Sequence, residues 1–259
     1  MFKSKVFDLV ILVTLILLSS AVILLFDVNF LFATLLYFGL PSAFLIYKKP
    51  SNLLKAFLSA VVFGGLWSFS FDFLAEFNNA WNWDSNTDLV FSSHLFGVVS
   101  LDIMVWYILW IFLIVSYYEY FVEYDFSKQI SKHIQLTLIT GVVVAVILVS
   151  LHKFYPQILK INYVYLWLGL AALVAYLLLM IKKPTLFKKS MKVIPFFSFL
   201  YITFEIVALE KNLWSFPGEY IGVISILGHA FPVEEFIFWI IFSSAIATAF
   251  HEYGVDNFE

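Results

Sequence analysis

The chain has 259 residues, of which 63% are hydrophobic and only 13% charged, and its mean hydropathy is +0.95. That composition excludes a soluble globular domain, whose surface would aggregate at such apolar content. A net charge of −3 gives no argument for nucleic acid, and the absence of cysteine excludes disulfides, thiolate nucleophiles, iron–sulfur clusters and Cys-type zinc sites.

The segment Met1–Asp8 carries Lys3 and Lys5, and an apolar run from Leu9 to Phe26 follows. No small-residue cleavage site follows it, so it reads as a retained span rather than a signal peptide. Further runs extend from about Phe30 to Tyr47, Ala56 to Leu74 and Gly97 to Tyr117. After the charged stretch Glu119–His133, others extend from Leu136 to Leu151, Val164 to Ile181, Val193 to Leu209 and Phe231 to Phe250. Each is long enough, or nearly so, to cross a hydrocarbon core of about 30 Å as a helix. Helix is required because lipid does not satisfy exposed backbone polar groups. The expected fold is therefore an all-α integral membrane protein of about eight transmembrane helices. The polar-flanked segments after the third and seventh runs read as interfacial or re-entrant.

All fifteen basic residues are lysine. Only Lys153, Lys160 and Lys211 fall on one side of this arrangement; the others fall on the opposite side. The positive-inside rule then predicts a multi-pass plasma-membrane protein with both termini in the cytoplasm. Aromatic residues make up 20% of the chain. They suit lipid-facing filler and interfacial belts, or the lining of a large apolar or cationic guest site.

A shift of 133 overlays the two halves. Asp72 then meets Glu205, Asn79 meets Asn212, Trp81 meets Trp214, Asp102 meets Glu235, Trp106 meets Trp239, and Glu119-Tyr120 meets Glu252-Tyr253. With one residue of slip, Lys48-Lys49-Pro50 meets Lys182-Lys183-Pro184. Such a set at one offset predicts a duplicated unit of four helices, residues 1–125 and 126–259, related by an axis along the membrane normal, with a pocket between them. Glu119 and Glu252 fall at cytoplasmic helix ends, where they are expected to be solvated. Asn79 and Asn212 serve equally well as helix caps, and His94 and His229 as interfacial hydrogen-bonders.

The richest stretch is Phe231-Pro232-Val233-Glu234-Glu235-Phe236-Ile237-Phe238-Trp239. Two carboxylates sit at the mouth of an apolar run behind a proline that the first turn of a helix accepts. Acids at a membrane span are a functional-site hypothesis by default; the alternative is a solvated pair favoured by the helix dipole. Phe204-Glu205, then Asn212-Leu213-Trp214-Ser215-Phe216, then Tyr220-Ile221-Gly222, then Pro232-Val233-Glu234-Glu235 resembles the lycopene cyclase domain of the heterodimeric and fused bacterial, archaeal and fungal type. That family consists of c-like and d-like units, and this chain looks like both units fused. The second half matches over about fifty residues. The first half matches through Asp72, Trp81 and Asp102 but lacks the proline and the doubled acid.

The resemblance implies an intramolecular lyase that cyclises the linear ψ ends of lycopene to β-ionone rings through γ-carotene, with no net redox change, no metal and no cofactor. The family lacks the flavin fingerprint of the soluble-type cyclases, and this chain has no G-x-G-x-x-G after a strand. Implied partners are a linear carotenoid in the bilayer, the lipid itself and other carotenoid-pathway enzymes. The residue chemistry, taken separately, suits the same reaction. Protonating an alkene needs an acid in a water-poor pocket and a base to take one proton back. Neighbouring carboxyls divide into one acid and one base. Candidates for these roles are Glu234 and Glu235, then Asp102, Glu205 and Asp72. Trp81, Trp214 and Trp239 would stabilise a carbocation, with Asn79, Asn212 and Pro232 as further binding candidates.

Three other readings fit parts of the pattern. A Glu-Glu intramembrane protease also needs an arginine on the same helix, and the chain has none. A prenyltransferase could use Asp84 and Asp88 for a metal–diphosphate, but the repeat lacks a second acidic set. A transporter could use the acids as a proton relay.

Overall fold

A computed structural model of the protein describes residues 2–82, 89–91, 93–123 and 129–256. Trp83, Asp84, Asp88 and Lys128 lie outside the described residues. The chain is an all-helical membrane protein. Among the described residues, seven helices are long and apolar enough to cross a membrane: α1 (Lys5–Leu25), α2 (Phe30–Lys48), α3 (Pro50–Phe77), α4 (Leu101–Val122), α5 (Ile134–Phe154), α6 (Val164–Lys182) and α9 (Glu235–Gly254). An eighth span is divided into α7 (Pro184–Ser190) and α8 (Ile194–Glu210), which bend by 45° at the break. Pro50 and Pro184 occupy the first turn of their helices, where a missing N–H costs nothing. Lys48 and Lys182 close the last turns of α2 and α6, where the helix dipole favours a cation.

α4 is the most buried span, while α5 and α1 lie at the periphery. Close approach to α4 depends on Gly64 of α3, where an added Cβ would lie 2.7 Å from the Tyr107 carbonyl oxygen and the Ile108 Cα. In lipid, such small residues let helix backbones meet and replace the hydrophobic drive available in water. Wider π-type turns interrupt four helices, over Leu35–Gly39, Ala60–Trp67, Tyr118–Val122 and Glu235–Phe242. Turns of this kind recur at functional sites.

Two short hairpins lie in the polar-flanked segments after the third and seventh apolar runs. Strands β1 (His94–Leu95) and β2 (Val99–Ser100) pair before α4, and β3 (Val223–Ile226) and β4 (His229–Pro232) pair before α9. The apolar runs from Gly97 and Phe231 therefore begin as strand, and helix starts only at Leu101 and beyond Pro232. The second hairpin closes on Leu227 (φ 51°) and Gly228 (φ 88°), the left-handed pair that a two-residue hairpin turn requires. Pro232 ends β4 and is paired with Val223, so it precedes the helix instead of standing in its first turn.

Residues separated by 133 positions touch across the molecule. Asn82 and Ser215 exchange both backbone hydrogen bonds, at 2.9 and 2.8 Å. The rings of Trp106 and Trp239 stand edge to face with centroids 5.5 Å apart. At the opposite end of α4, Tyr118 donates to Glu252 while His251 Nε2 meets Glu119 Oε1 at 3.1 Å. Lys55 pairs with Asp256, and Lys189 pairs with Glu123.

Candidate functional site: a carboxylate in an aromatic box

The ends of α3 and α8 place their acids in the same way. Trp81 Nε1 donates to Asp72 Oδ1 at 3.1 Å, and Trp214 Nε1 donates to Glu205 Oε1 at 3.1 Å. In both cases the chain turns back just past the helix, through Asn79 (φ 53°) and Asn212 (φ 52°), and carries the tryptophan to its acid. Asparagine tolerates the left-handed conformation better than most residues, which is its role here. Both asparagines are exposed, and neither lines the site. Pro232 is likewise absent from the lining.

Asp72 also accepts from the Tyr107 hydroxyl at 3.1 Å. Glu235 accepts from Tyr165 and from Tyr201, and it lies within the electrostatic reach of Glu205. The Glu205 Oε2 atom is buried with no hydrogen-bond partner. Among the described residues no lysine or histidine forms an ion pair with Asp72, Glu205 or Glu235, all of which are buried. Glu205 and Glu235 are held by indole and phenol donors, and Asp72 by Trp81, Tyr107 and a second acid, Glu76.

Glu235 faces a small space of about 30 Å³, lined by Trp81, Trp106, Trp214, Trp239, Tyr107 and Tyr201. Tyr201 stacks on Trp239 with centroids 5.9 Å apart. Trp106 Nε1 is a buried donor with no partner. Six electron-rich rings around a carboxyl form a site that can stabilise positive charge on a hydrocarbon. Next to the box lies a much larger apolar cavity of about 390 Å³ between α3, α4, α5, α6 and α9, and Tyr107 and Trp239 line both spaces.

Glu234 and Asp102 are placed differently. Glu234 Oε1 accepts from the Ile221 N–H at 2.8 Å, and Asp102 accepts from the Val90 and Phe91 N–H groups at 3.1 and 2.9 Å. Each therefore fastens the incoming loop to the start of its helix, and neither lines the box. Tyr220 fastens the same region: its hydroxyl donates to the Ala80 carbonyl and accepts from the Gly218 N–H, and burial pushes its phenol up to about 12.

Tyr107, Tyr165 and Tyr201 are site residues that sequence reasoning missed. Tyr201 precedes Glu205 by one helical turn and so shares its face, a signal that was available. Tyr165 carries no comparable signal, because it reaches Glu235 from a separate helix. Trp106 was visible only as the repeat partner of Trp239. Glu119 and Glu252, expected in solvent, are buried in a network with Tyr118, His251 and Ser59, whose hydroxyl lies 2.7 Å from His251 Nδ1. The correction has a physical cause: Lys55, Lys183 and Lys189 supply counter-charge at this end, so the acids are neutralised inside the protein instead of being hydrated. Glu119, His251 and Asp256 bring ligand-type atoms within 4.8 Å of one another, with Lys55 already seated on Asp256. No protein family, curated protein or solved structure matches this chain.

Proposed function

We propose that the chain is a membrane-embedded carotenoid cyclase, a lycopene β-cyclase in which Glu235 works as the acid at the reacting end group. The observation that carries this reading is the Glu235 carboxyl lined by four tryptophans and two tyrosines, with no cation paired to it among the described residues and an apolar cavity at its door. The proton goes from the carboxyl to the terminal double bond of a linear polyene. The next double bond closes on the resulting cation and forms one carbon–carbon bond. The ring cation then returns a proton to a base, for which Glu205 beside Glu235 is the candidate. One proton enters and one leaves, so nothing is oxidised or reduced and the product is an isomer. The rings stabilise the cation, and the apolar walls supplied by the bound polyene and the rings keep water from capturing it. Asp72 and Tyr107 hold the wall opposite.

The reading includes a duplication, with residues 1–125 and 126–259 as c-like and d-like units. The matched Trp–acid pairs, the Asn82–Ser215 bridge and the reciprocal pairs at the far end support it. It also places the lysine-rich end and both termini in the cytoplasm of a plasma-membrane protein, on the lysine distribution. Other enzymes acting on the same polyene are the expected partners. The test is pigment analysis of a lycopene-accumulating bacterium expressing the chain beside a Glu235→Gln variant. γ- and β-carotene with the wild type alone is the expected result. Unchanged lycopene, with the wild-type protein shown to be in the membrane, overturns the reading.

A further inference from the structure

We infer that the gap between α5 and α6 is a lateral portal through which an elongated, unfunctionalised hydrocarbon enters end-first from the bilayer. This rests on the proposed function for the identity of the guest, but its geometry does not. α5 packs on α3, and α6 packs on α9 and α7, whereas these two consecutive helices have no extensive contact with each other. Where they diverge, α6 presents a small-residue face of Gly169, Ala171, Ala172 and Ala175, all lining the large cavity. Ala171 lines the cavity and is also exposed, so the cavity opens there toward the space that lipid fills.

The chemistry of the lining selects the guest. Along α3 and α9 its hydroxyls come from Ser68, Ser70 and Ser243. Each is spent on a carbonyl of its own helix: Phe63 at 2.8 Å, Leu66 at 3.5 Å and Trp239 at 2.5 Å. Among the described residues no lysine, histidine or carboxylate lines the cavity, so a headgroup or a diphosphate finds no partner among them. The α3 residues of the lining extend from Phe63 to Leu74, roughly 16 Å at the helical rise per residue. That is a slot for a chain, parallel to the bundle, with Glu235 beyond its hairpin end.

Between slot and box stand Tyr107 and Trp239. Tyr107 is tied to Asp72, so Trp239 is the movable partition, and the guest's terminus reaches Glu235 by displacing it. The partition is backed by Phe238, which lies so close to Gly169 that an added Cβ there would stand 2.1 Å from its ring. Gly169 therefore leaves room for the Phe238–Trp239 pair.

The test separates the portal from the chemistry. Ala171→Trp and Ala172→Trp would fill the mouth, and Val146→Trp, on the exposed face of α5 and outside the lining, is the control. Each is placed in a Glu235→Gln background and in the wild type, in lycopene-accumulating cells, and the polyene retained per purified protein is read by its visible absorbance. The expected result is at least a tenfold loss of retained polyene for both mouth variants, with none for Val146→Trp, whether or not the wild type cyclises. Equal retention in mouth variants and control overturns the portal, as does retention of lipid acyl chains alone by every form. Failure of the proposed reaction shows separately, as unchanged lycopene in cells expressing the wild type. Gly169→Ala gives an independent arm, and undiminished retention there overturns the role of the Phe238–Trp239 partition.

Discussion

The molecule buries acids at both ends of its bundle, and the two ends treat them in opposite ways. At the hairpin end, Glu205 and Glu235 meet phenols and indoles, and Asp72 meets Trp81, Tyr107 and the neighbouring acid Glu76. At the lysine end, Glu123, Glu252 and Asp256 meet ammonium groups, and Glu119 meets an imidazole. A carboxylate matched by a buried cation has its charge neutralised by that partner and is committed to holding structure. A carboxyl matched only by neutral donors has no fixed counter-charge and can exchange a proton with a guest. Under the proposed function, the same residue type at the same depth of burial is a fastener at one end and a reagent at the other.

Four experiments can break or sharpen this contrast. The largest effect belongs to Glu235→Gln, which keeps the hydrogen bonds of Tyr165 and Tyr201 but removes the transferable proton. A loss of about 10²–10⁴ in cyclisation is expected from deletion of a general acid, measured as β- and γ-carotene formed per membrane protein. A variant that still cyclises would remove Glu235 from the chemistry. Next is Lys55→Met, which takes from Asp256 its buried lysine partner. A stability loss of about 3–5 kcal/mol is the usual cost of leaving one member of a buried pair uncompensated, read as a lower thermal midpoint in detergent. Turnover per folded molecule should be unchanged, and a selective loss of turnover would erase the distinction between the two ends.

The helices were legible in the sequence because lipid demands long apolar runs and little else. The hairpins were not. Their strands are apolar and continuous with the spans, and only the turn dipeptides Phe96-Gly97 and Leu227-Gly228 distinguish them. The acids of the site were visible, and Trp81 and Trp214, which the offset of 133 pairs, each donate to the acid that the offset also pairs, Asp72 and Glu205. What the offset did not reveal was rank. Glu234 and Glu235 are adjacent and chemically equal on paper, yet the helix turns one toward the Ile221 backbone and the other into the box. The Glu119-Tyr120 and Glu252-Tyr253 match was also visible, but its meaning was contact across the molecule, which a lone helix-end reading missed.

The two smaller effects test these local assignments. Trp239→Leu keeps bulk and removes the ring facing Trp106 and Tyr201. A loss of roughly tenfold is expected, in keeping with about 0.5–2 kcal/mol for a cation–ring contact, seen in initial rates with the protein level held equal. Glu234→Gln should change rate by less than about threefold, because an amide oxygen still accepts from Ile221 and the neutral hydrogen bond is worth only about 1 kcal/mol less than the charged one. A collapse of activity with Glu234→Gln and not with Glu235→Gln would exchange the roles of the two neighbours.

The aromatic box lies where the matched tryptophans of both halves meet, at Trp106 and Trp239. A linear polyene has two equivalent termini, and one box can hold only one of them. Under the proposed function, the singly closed product must back out, turn end for end in the bilayer and dock again before the second ring forms. The ratio of one-ring to two-ring pigment then reads a race in two dimensions, between drifting away from the protein and returning to it. Diluting the protein in lipid should move that ratio toward one ring without altering a single residue.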